Sequence, residues 1–587
     1  MATATVPVQT TLGIEEFSGG EITVPISSVI NGIFLKRSDG TFYTTQRPSI
    51  DVAIDASVTV SAARGRGVTY WKAVDADYFV NDNKVYQNTY STEVNEAAVT
   101  VSGLTGTGTT ATATAAAHGY KTGDKVTIAS SGASYNGEYS IIVTSPGAFT
   151  FLSAATASET GTAVRGLGGG GTERIFFLEI GNYLMIVDPE DNTGWYINSA
   201  SPTTLVEIVD VNFPGFHSTG SQQLARCGIV LNGVSYVMDT TGSISGSDLE
   251  DPTNWDVLNF INAEIETDGG VALGIHRNHI AAFGNRTIEF FYDAANPVGS
   301  PLAVRQDISH EIGMANFSTL WGDQNSLFFV AQTKTGGLSV YEMREFIPND
   351  ITNADIDTFL TSAVQTDSKK LVGSGFSVGH TLFYVLTVYH LINSEPTSLE
   401  SIVYNSGTGT WTRFELMHTG IDNCPIIDWT VANALRIGKG ILSNGDVITV
   451  ADDWSPYDTI GVTSGVFLAS DTVFEADVFT SASAGSGTAV SMEIITGHTN
   501  NGTANTKFMS SLRFLGPKTK ASQTLTVQWS NEDNESYNTG KTIDTSLPGR
   551  RITRLGSYRQ RNFKLTIAAT EAIEIDALEV DIAAGVY

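Results

Sequence analysis

Short strands joined by tight polar turns recur along this chain and limit it to an antiparallel β fold. Over 268–346 the strands are apolar and rich in β-branched and aromatic residues, and polar turns at 276–279 and 284–286 separate them. Turns this tight make consecutive strands pair antiparallel, which builds small meandering sheets. From Ile175 onward such a hairpin returns about every 45 to 55 residues, a spacing that predicts the blades of a β-propeller.

Candidate blade cores begin near Phe176, Gly228, Val271, Leu327, Leu382 and Leu435, and the sequence does not give the exact number of blades. Several blades end in a polar turn that leads to a tryptophan, namely Trp195, Trp255 and Trp411. A ring of this size is expected to pack between adjacent sheets. The pattern predicts one helix, over 353–370, with Ile356, Phe359, Leu360 and Val364 on one face.

Composition agrees with an all-β chain of several domains. The 587 residues include 58 Gly, 20 Tyr and 28 Phe, and few stretches have a helical period. We therefore predict an all-β fold with a β-propeller core, additional β-barrel or sandwich-like domains and an inserted small β module. The predicted domains are an N-terminal β segment joining the body (1–95), the inserted module with a Gly-rich linker (96–171), the propeller (172–465) and a C-terminal β domain (466–587).

The inserted module differs in texture from its surroundings. Thr and Ala dominate 105–117, and the run 166–171 reads as a flexible return linker. Both ends are expected together at the surface, so the module is predicted to be a detachable satellite of the main body.

Charge is strongly negative, with 33 Lys and Arg against 62 Asp and Glu, a formal net charge of −29. Such a surface repels phosphate, which argues against sequence-reading DNA binding, although acidity also serves solubility. Residues 501–587 differ, with 11 basic and 9 acidic side chains. The basic side chains are either contacts for an acidic partner or structural partners of nearby acids. The candidate partner contacts are Arg550, Arg551, Arg559, Arg561 and Lys564.

No residue pattern here predicts a metal, a cofactor or catalysis. Cys227 and Cys424 provide neither a disulfide framework nor a zinc quartet, and both are expected to be buried. His276, His279 and His310 have no supporting ligand cluster, so we expect surface or satisfied core residues rather than metal ligands. The chain also lacks a signal-peptide pattern and any apolar run of roughly 20 residues, so no stable membrane insertion is expected.

Two motifs resemble functional loops but have the wrong context. Ser377 lies in a G-x-S-x-G sequence, yet a strand rather than a helix is expected to follow it. The segment 188–194 resembles a calcium loop but lacks its Gly at the sixth position and its Glu at the twelfth. A hairpin turn is the better interpretation of 188–194, the strand expected after Ser377 argues against a nucleophile elbow, and no catalytic residue is predicted.

Several segments, in this order along the chain, resemble one family. They include the Pro-Thr-Asn-Trp turn at 252–255, Asp-Gly at 268–269, 283–289, 347–356, 379–387, 408–411, Trp-Ser at 529–530 and 550–556. The sequence of these segments is similar to that of the tail hub, or nozzle, proteins of short-tailed bacteriophages, also called packaged-DNA stabilisation proteins. The family-motif residues, for which a structural role is expected, are Trp255, Asp268, Gly284, Glu289, Gly379, His380, Trp411, Arg554 and Gly556.

This resemblance implies a structural virion protein made and assembled in the host cytoplasm. It implies a homo-oligomeric ring, of six copies, mounted below the portal and its adaptor, the head–tail connector ring. Tail fibres or tailspikes and a needle or plug protein are the further partners it implies. The ring would close the tail channel, retain the packaged DNA and conduct the double strand at ejection without reading its sequence.

Two functions of other classes remain open at this stage. A propeller-type tail protein that binds or degrades glycans would need a carboxylate pair or an aromatic platform in one pocket, and sequence spacing does not decide this. A receptor-binding fibre would need a slender repeat or a coiled coil, which the sequence does not show.

Overall fold

A computed structural model describes residues 2–9, 24–36, 42–46, 50–54, 65–168, 173–214, 227–263, 265, 268–296, 298–332, 337–362, 369–378, 381–392, 395–414, 426–430, 438–442, 447–450, 457–458, 488–489, 491–497, 505–531, 536–568 and 573–584. Strands dominate this part of the chain. Its helical segments are Ala354–Ser362 and the 3-10 turn Phe317–Thr319.

Seven antiparallel sheets, which we number blades 1 to 7, make up the largest body of the described residues. Blade 1 has the strands Gly65–Trp71, Ala76–Asn81, Lys84–Gln87 and Thr89–Val94, and blade 2 has Phe176–Ile180, Tyr183–Asp188, Thr193–Asn198 and Ser201–Glu207. Blade 3 has Cys227–Leu231, Val234–Met238, Ser243–Asp248 and Asp251–Asn262, and blade 4 has Gly270–His276, His279–Gly284, Ile288–Asp293 and Leu302–His310.

The remaining blades are more irregular. Blade 5 has five strands, Gly313–Met314, Trp321–Gly322, Ser326–Gln332, Leu338–Arg344 and Ile347–Asp350. Blade 6 has three long strands and a short one, Lys369–Val378, Thr381–Ile392, Glu395–Asn405 and Thr410–Phe414. Blade 7 combines Ile426–Thr430, Gly438–Leu442 and Val447–Val450 with the early strand Ile50–Ile54.

These sheets close into a ring. The leading strands of consecutive blades pack side by side, and Ile426–Thr430 of blade 7 packs against Gly65–Trp71 of blade 1. Sheets of four strands repeated around an axis form a β-propeller, so the predicted propeller core is confirmed. The ring reaches beyond the predicted 172–465, because blade 1 comes from the N-terminal segment.

Blade 7 closes the ring with strands from two distant parts of the chain. Ile50–Ile54 pairs antiparallel with Val447–Val450 as the outer strand of that blade. Each strand satisfies the backbone donors and acceptors of the other, so this pairing ties the start of the propeller to its end.

The inserted module is a closed six-stranded barrel that leaves the chain between blades 1 and 2. Its strands, in the order in which they pair around the barrel, are Val99–Gly106, Thr110–Thr114, Ala148–Leu152, Gly137–Ser145, Lys125–Ser130 and Ser158–Arg165. In the Thr/Ala-rich strand, Ala111 and Ala113 are buried and Thr112 is exposed, the alternation expected of a strand with one inward face. The barrel has its own core, which includes Leu104 and Phe149.

The predicted flexible linker starts with packed residues. Gly166, Leu167 and Gly168 are buried, and Leu167 N–H donates to the Asn83 carbonyl at 2.7 Å. A Cβ on Gly166 would lie 2.2 Å from that same carbonyl oxygen, so glycine is required there by close approach to blade 1. The linker prediction was therefore wrong for 166–168, and 169–172 lie outside the described residues.

The C-terminal β domain incorporates the N-terminus of the chain. Its strands are Ala2–Gln9, Val24–Ile30, Gly32–Lys36, Phe42–Gln46, Ser491–Thr496, Lys507–Leu515, Thr524–Ser530, Lys541–Asp544, Arg551–Thr553, Ser557–Tyr558, Asn562–Ala568 and Ala577–Ala584, and a separate pair joins Tyr457–Asp458 to Thr488–Ala489. Ala2–Gln9 lies between Val24–Ile30 and Ala577–Ala584, so it is a central strand. Ile30 pairs with Arg413 of blade 6, which makes the domain sheet continuous with that blade.

Several local predictions are confirmed in the part of the chain that the structure describes. Trp195, Trp255 and Trp411 are buried and pack in clusters that join neighbouring blades. In the helix Ala354–Ser362, Ile356, Phe359 and Leu360 are buried against blades 5 and 6. The predicted end at residue 370 was wrong, because Lys369 begins the first strand of blade 6. The sequence around Ser377 is a hairpin, because strands precede and follow it. The residues Val364, Gly379, His380, Cys424 and Leu435 lie outside the described residues.

Candidate functional site

A turn cluster joins blades 3 and 4 and contains three of the family-motif residues. Asp268 Oδ2 accepts the backbone N–H groups of Arg286 and Thr287, at 2.5 and 2.9 Å, and the Thr287 hydroxyl at 3.2 Å. Glu289 is buried, and its Oε1 accepts Ile265 N–H at 2.8 Å. The two carboxylates therefore fasten the connection between the blades to the hairpin that follows it.

Gly284 leaves room for the Asp268 carboxylate at the centre of this cluster. A Cβ at that position would lie 2.5 Å from Asp268 Oδ1, so a larger residue would have to displace this carboxylate from its hydrogen bonds. The cavity among these residues measures about 10 Å³, which is room for no more than one water molecule. Asp268, Gly284 and Glu289 thus form a structural fastening rather than a ligand site.

Trp255 fastens blade 3 to blade 2 in a similar way. Its Nε1–H donates to the Pro252 carbonyl at 2.8 Å, and its backbone N–H donates to Asp210 Oδ2 at 3.2 Å. Phe213 meets the indole edge to face, with ring centroids 5.1 Å apart. Trp411 follows the same logic in blade 6, since its Nε1–H donates to the Ile351 carbonyl at 2.8 Å.

A buried ion pair, which the sequence did not reveal, joins blades 1 and 2. The Arg66 guanidinium makes two hydrogen bonds to the Asp188 carboxylate, at 2.7 and 2.6 Å, and both side chains are fully buried. Burial alone would lower the pKa of Arg66, but the charge and hydrogen bonds of Asp188 outweigh it and raise that pKa. Asp188 is the first residue of the segment that resembles a calcium loop, and its carboxylate binds this arginine.

A second buried arginine mounts the barrel on the propeller. Arg165, at the end of the last barrel strand, contacts the carboxylates of Glu96, Asp124 and Glu207 at 2.9, 2.8 and 2.8 Å. Glu207 belongs to blade 2, and the guanidinium carbon lies 4.8 Å from the ring centroid of Trp195 in the same blade. The surrounding carboxylates raise the pKa of Arg165 against the effect of burial, so its charge is permanent.

Three lysines extend this junction around its edge. Lys121 contacts Glu207 at 2.6 Å, Lys125 contacts Asp82 at 2.5 Å, and Lys84 of blade 1 contacts Glu138 of the barrel at 3.4 Å. The barrel is therefore held in one orientation by ionic contacts to both flanking blades.

The three histidines considered as metal ligands lie around Phe346, and two of them contact its backbone. His276 is buried, and its Nε2 accepts Phe346 N–H at 3.1 Å, while His310 Nε2 lies 2.6 Å from the Phe346 carbonyl oxygen. Phe346 has φ +65°, a strained value for a large side chain. Within the described residues no cluster of ligating side chains could hold a metal ion, and His276 and His310 instead hold this turn.

The predicted partner contacts of the C-terminal domain separate into two groups. Arg561 is buried between Trp529 and Tyr558, with ring centroids 5.6 and 4.2 Å from its guanidinium carbon, and burial lowers its pKa to about 10. As a buried side chain it does not contact a partner, and that prediction was wrong. Lys564 contacts Glu493 at 2.6 Å, as the structural alternative expected.

The other basic residues of this stretch reach the surface. Arg551 and Arg559 are exposed, and Arg550 is half-buried with its guanidinium carbon 5.2 Å from the Phe514 ring centroid. Arg554 has φ +60°, and its N–H donates to the Ser510 carbonyl at 2.9 Å. Gly556 also has a positive φ, so these two family-motif residues shape the loop that presents the arginines.

The family match of this chain falls on the propeller. Residues 191–390, from blade 2 into blade 6, match the family model described as "Bacteriophage P22 Gp10, beta-propeller". This match is to a phage protein family, and it agrees with the β-propeller seen in the structure. No curated protein matches the chain. No helix in the described part of the chain is long and apolar enough to cross a membrane.

Solved structures resemble the chain only distantly. An exo-β-1,3-galactanase from Phanerochaete chrysosporium is 10% identical, with 70% of this chain and 97% of that chain covered and a TM-score of 0.25. A chain of the Mitotic Checkpoint Complex is 11% identical, with 72% and 100% covered and a TM-score of 0.30. Sqt1 of Saccharomyces cerevisiae is 12% identical, with 55% and 91% covered and a TM-score of 0.28. Scores this low carry no argument about function.

Proposed function

We propose that this chain is the ring-forming tail hub, or nozzle, of a short-tailed phage, and that it is not an enzyme. The observation that carries the proposal is the family match over 191–390, which falls on the propeller and covers the cluster of Asp268, Gly284 and Glu289. The motif residues that the structure describes hold turns and blade junctions together. Motif residues that make the fold rigid suit a protein that must withstand mechanical force within a particle.

The proposed ring of six copies lies below the portal and its adaptor ring, and it also contacts tail fibres or tailspikes and a needle or plug. Its channel retains the packaged DNA and later conducts it. The first 500 residues carry 22 basic against 53 acidic side chains, so many carboxylates must face solvent. An acidic wall repels the duplex over about 10 Å at moderate salt, which keeps the DNA centred and avoids the friction of phosphate contacts.

Particles assembled without this protein test the role. We expect heads that fill and then lose their DNA, measured as DNA that becomes sensitive to nuclease, and we expect added purified protein to restore retention. Particles that keep their DNA but fail to bind or degrade host glycan would contradict the hub and favour the glycan alternative.

Channel charge tests the mechanism separately from the role. Replacing channel-facing Asp and Glu by Lys should slow or stall DNA ejection while assembly stays normal, because each new cation adds a phosphate contact. Ejection at the normal rate from such particles would contradict the repulsion mechanism and leave the hub assignment standing.

A further inference from the structure

The outer edge of blade 3 carries an exposed apolar surface. Five large side chains are between 48% and 69% exposed there, namely Leu249, Val257, Leu258, Phe260 and Ile265. They lie on or beside Asp251–Asn262, the edge strand of the blade, and we call these five residues the blade 3 rim. Val298, in the loop of blade 4 that reaches the Leu258 backbone, is a further exposed apolar side chain next to it.

Bulges interrupt the backbone pairing of the strand that carries the rim. Ser243–Asp248 pairs with the edge strand at Trp255 and again at Phe260, and the pairing is interrupted over 256–259. Proteins normally blunt an edge strand with bulges and charges, and isolated apolar residues at a surface need no explanation. A group of five apolar side chains along one bulged edge, with Val298 of blade 4 beside them, is instead typical of a surface that binds another protein.

The charge around the rim restricts what it can bind. Residues 227–276 contain eight acidic side chains and no Lys or Arg. Three of the acids, Asp248, Glu250 and Asp256, are exposed beside the apolar residues. The complementary surface is therefore an apolar side chain among cations.

The C-terminal domain of the same chain has such a surface. Phe508 is 57% exposed on Lys507–Leu515, opposite Ser557. The exposed Arg554 and Arg559 flank Ser557, and among the described residues neither makes an ion pair. We call Phe508, Arg554 and Arg559 the Phe508 patch.

The two surfaces lie on different sides of one protomer. The C-terminal domain extends the sheet of blade 6, and blades 4 and 5 separate blade 6 from blade 3 in the ring of sheets. We propose that the blade 3 rim binds the Phe508 patch of a second copy of this chain. A contact between two different patches is heterologous, and repeated head to tail it forms a ring when the rotation between successive copies closes. This interface rests on the proposed function, which requires such a ring, and names the surfaces that build it.

Paired charge reversals test the interface with full-length protein. One variant carries Glu250→Lys with Asp256→Lys, and the other carries Arg554→Glu with Arg559→Glu. Each alone should need at least about tenfold more protein to assemble, because like charges then face each other. An equal mixture should assemble as the wild type does, since every contact again joins opposite charges. Sedimentation gives the size of the assembly and labelled subunits give its stoichiometry.

Rescue by mixing also shows that both variants are folded. The control, Asp307→Lys with Glu345→Lys, changes two exposed acids that are not part of the rim and should assemble normally. Single variants that assemble like the wild type, or a mixture that stays dissociated, overturn the interface while the hub role stands. Variants that form normal rings but fail to join particles identify a different tail protein as the partner of the rim, which also overturns it. A wild-type chain that never assembles overturns both proposals.

Discussion

The barrel and the C-terminal domain are attached to the propeller in opposite ways. The barrel is continuous in sequence, has its own core and meets blades 1 and 2 through charged side chains around Arg165. The C-terminal domain shares a sheet with blade 6 and takes its central strand, Ala2–Gln9, from the other end of the chain. The inserted barrel is thus attached through side chains on its surface. The C-terminal domain is instead joined by backbone pairing, both to blade 6 and to the N-terminal strand of the chain.

The two regions also bury arginine differently. Arg165 lies among three carboxylates, which raise its pKa, whereas the Arg561 guanidinium is stacked on aromatic rings, which leaves burial to lower its pKa. Removing a cation from buried carboxylates leaves those charges uncompensated. Removing one that faces aromatic rings leaves no charge behind, so the two sites should respond unequally to the same substitution.

Two deletions should give the largest difference between these regions. Joining residue 95 to residue 172 by a short linker removes Arg165 together with the barrel, and Glu207 then faces solvent. We expect a folded propeller that unfolds somewhat more readily, because the deletion also removes Leu167 from the core shared by blades 1 and 2. Deleting Ala2–Gln9 removes a central strand, and we expect the C-terminal domain to lose its protection from hydrogen exchange.

Each deletion is a control for the other, because both remove a whole segment and the two segments are attached in different ways. Unfolded protein after the barrel deletion would show that the barrel is part of the propeller core. Retained protection after deletion of the strand would contradict the continuity of the C-terminal sheet with the N-terminus.

Arg165→Met should give the next largest effect. It leaves Glu96, Asp124 and Glu207 facing each other at a buried junction, at a cost of about 3–5 kcal/mol in the free energy of unfolding. Denaturant titration measures this change. Arg277→Met, which breaks an exposed pair with Glu345, should leave the midpoint almost unchanged. Equal effects of the two substitutions would contradict a buried ionic junction.

The turn held by His276 should give a pH-dependent loss of stability. Burial, followed by the nearby charge of Arg277, lowers the pKa of His276 to about 4, while Asp323 opposes this. The unfolded chain then binds more protons than the folded one between pH 6.5 and 4, so stability is lost as the pH falls through this window. The loss is at most about 3 kcal/mol. In His276→Gln this part of the pH dependence of unfolding should be absent.

Arg561→Met should give the smallest effect. The methionine fills similar volume between Trp529 and Tyr558 and leaves no buried carboxylate unpaired, so we expect a cost below about 1.5 kcal/mol. A loss as large as that of Arg165→Met would show that the charge of Arg561 itself matters, and it would remove the contrast between the two arginines.

The sequence predicted what depends on local pattern. Hairpins over 268–346, the buried Trp195, Trp255 and Trp411, and the start of the helix near 354 all follow from the spacing of apolar residues and turns. The small β module was recognisable because its Thr/Ala alternation and Gly-rich exit differ from the blades around it.

Pairings between distant segments were not predictable in the same way. Nothing local distinguishes Ile50–Ile54 as the outer strand of blade 7, or Arg66 as the partner of Asp188, because the energy of each contact is spread over residues far apart in the chain. Arg561 was misjudged for a related reason. A run of basic residues predicts exposed side chains. Only the fold shows that one of them, Arg561, faces two aromatic rings.

Reconstruction of the intact particle by cryo-electron microscopy tests the central claim most directly. The account predicts a closed ring of copies of this chain on the tail axis, below the portal and adaptor, with acidic and neutral side chains lining its channel. Density for this chain only at the periphery of the tail, or in a slender trimer, would contradict it.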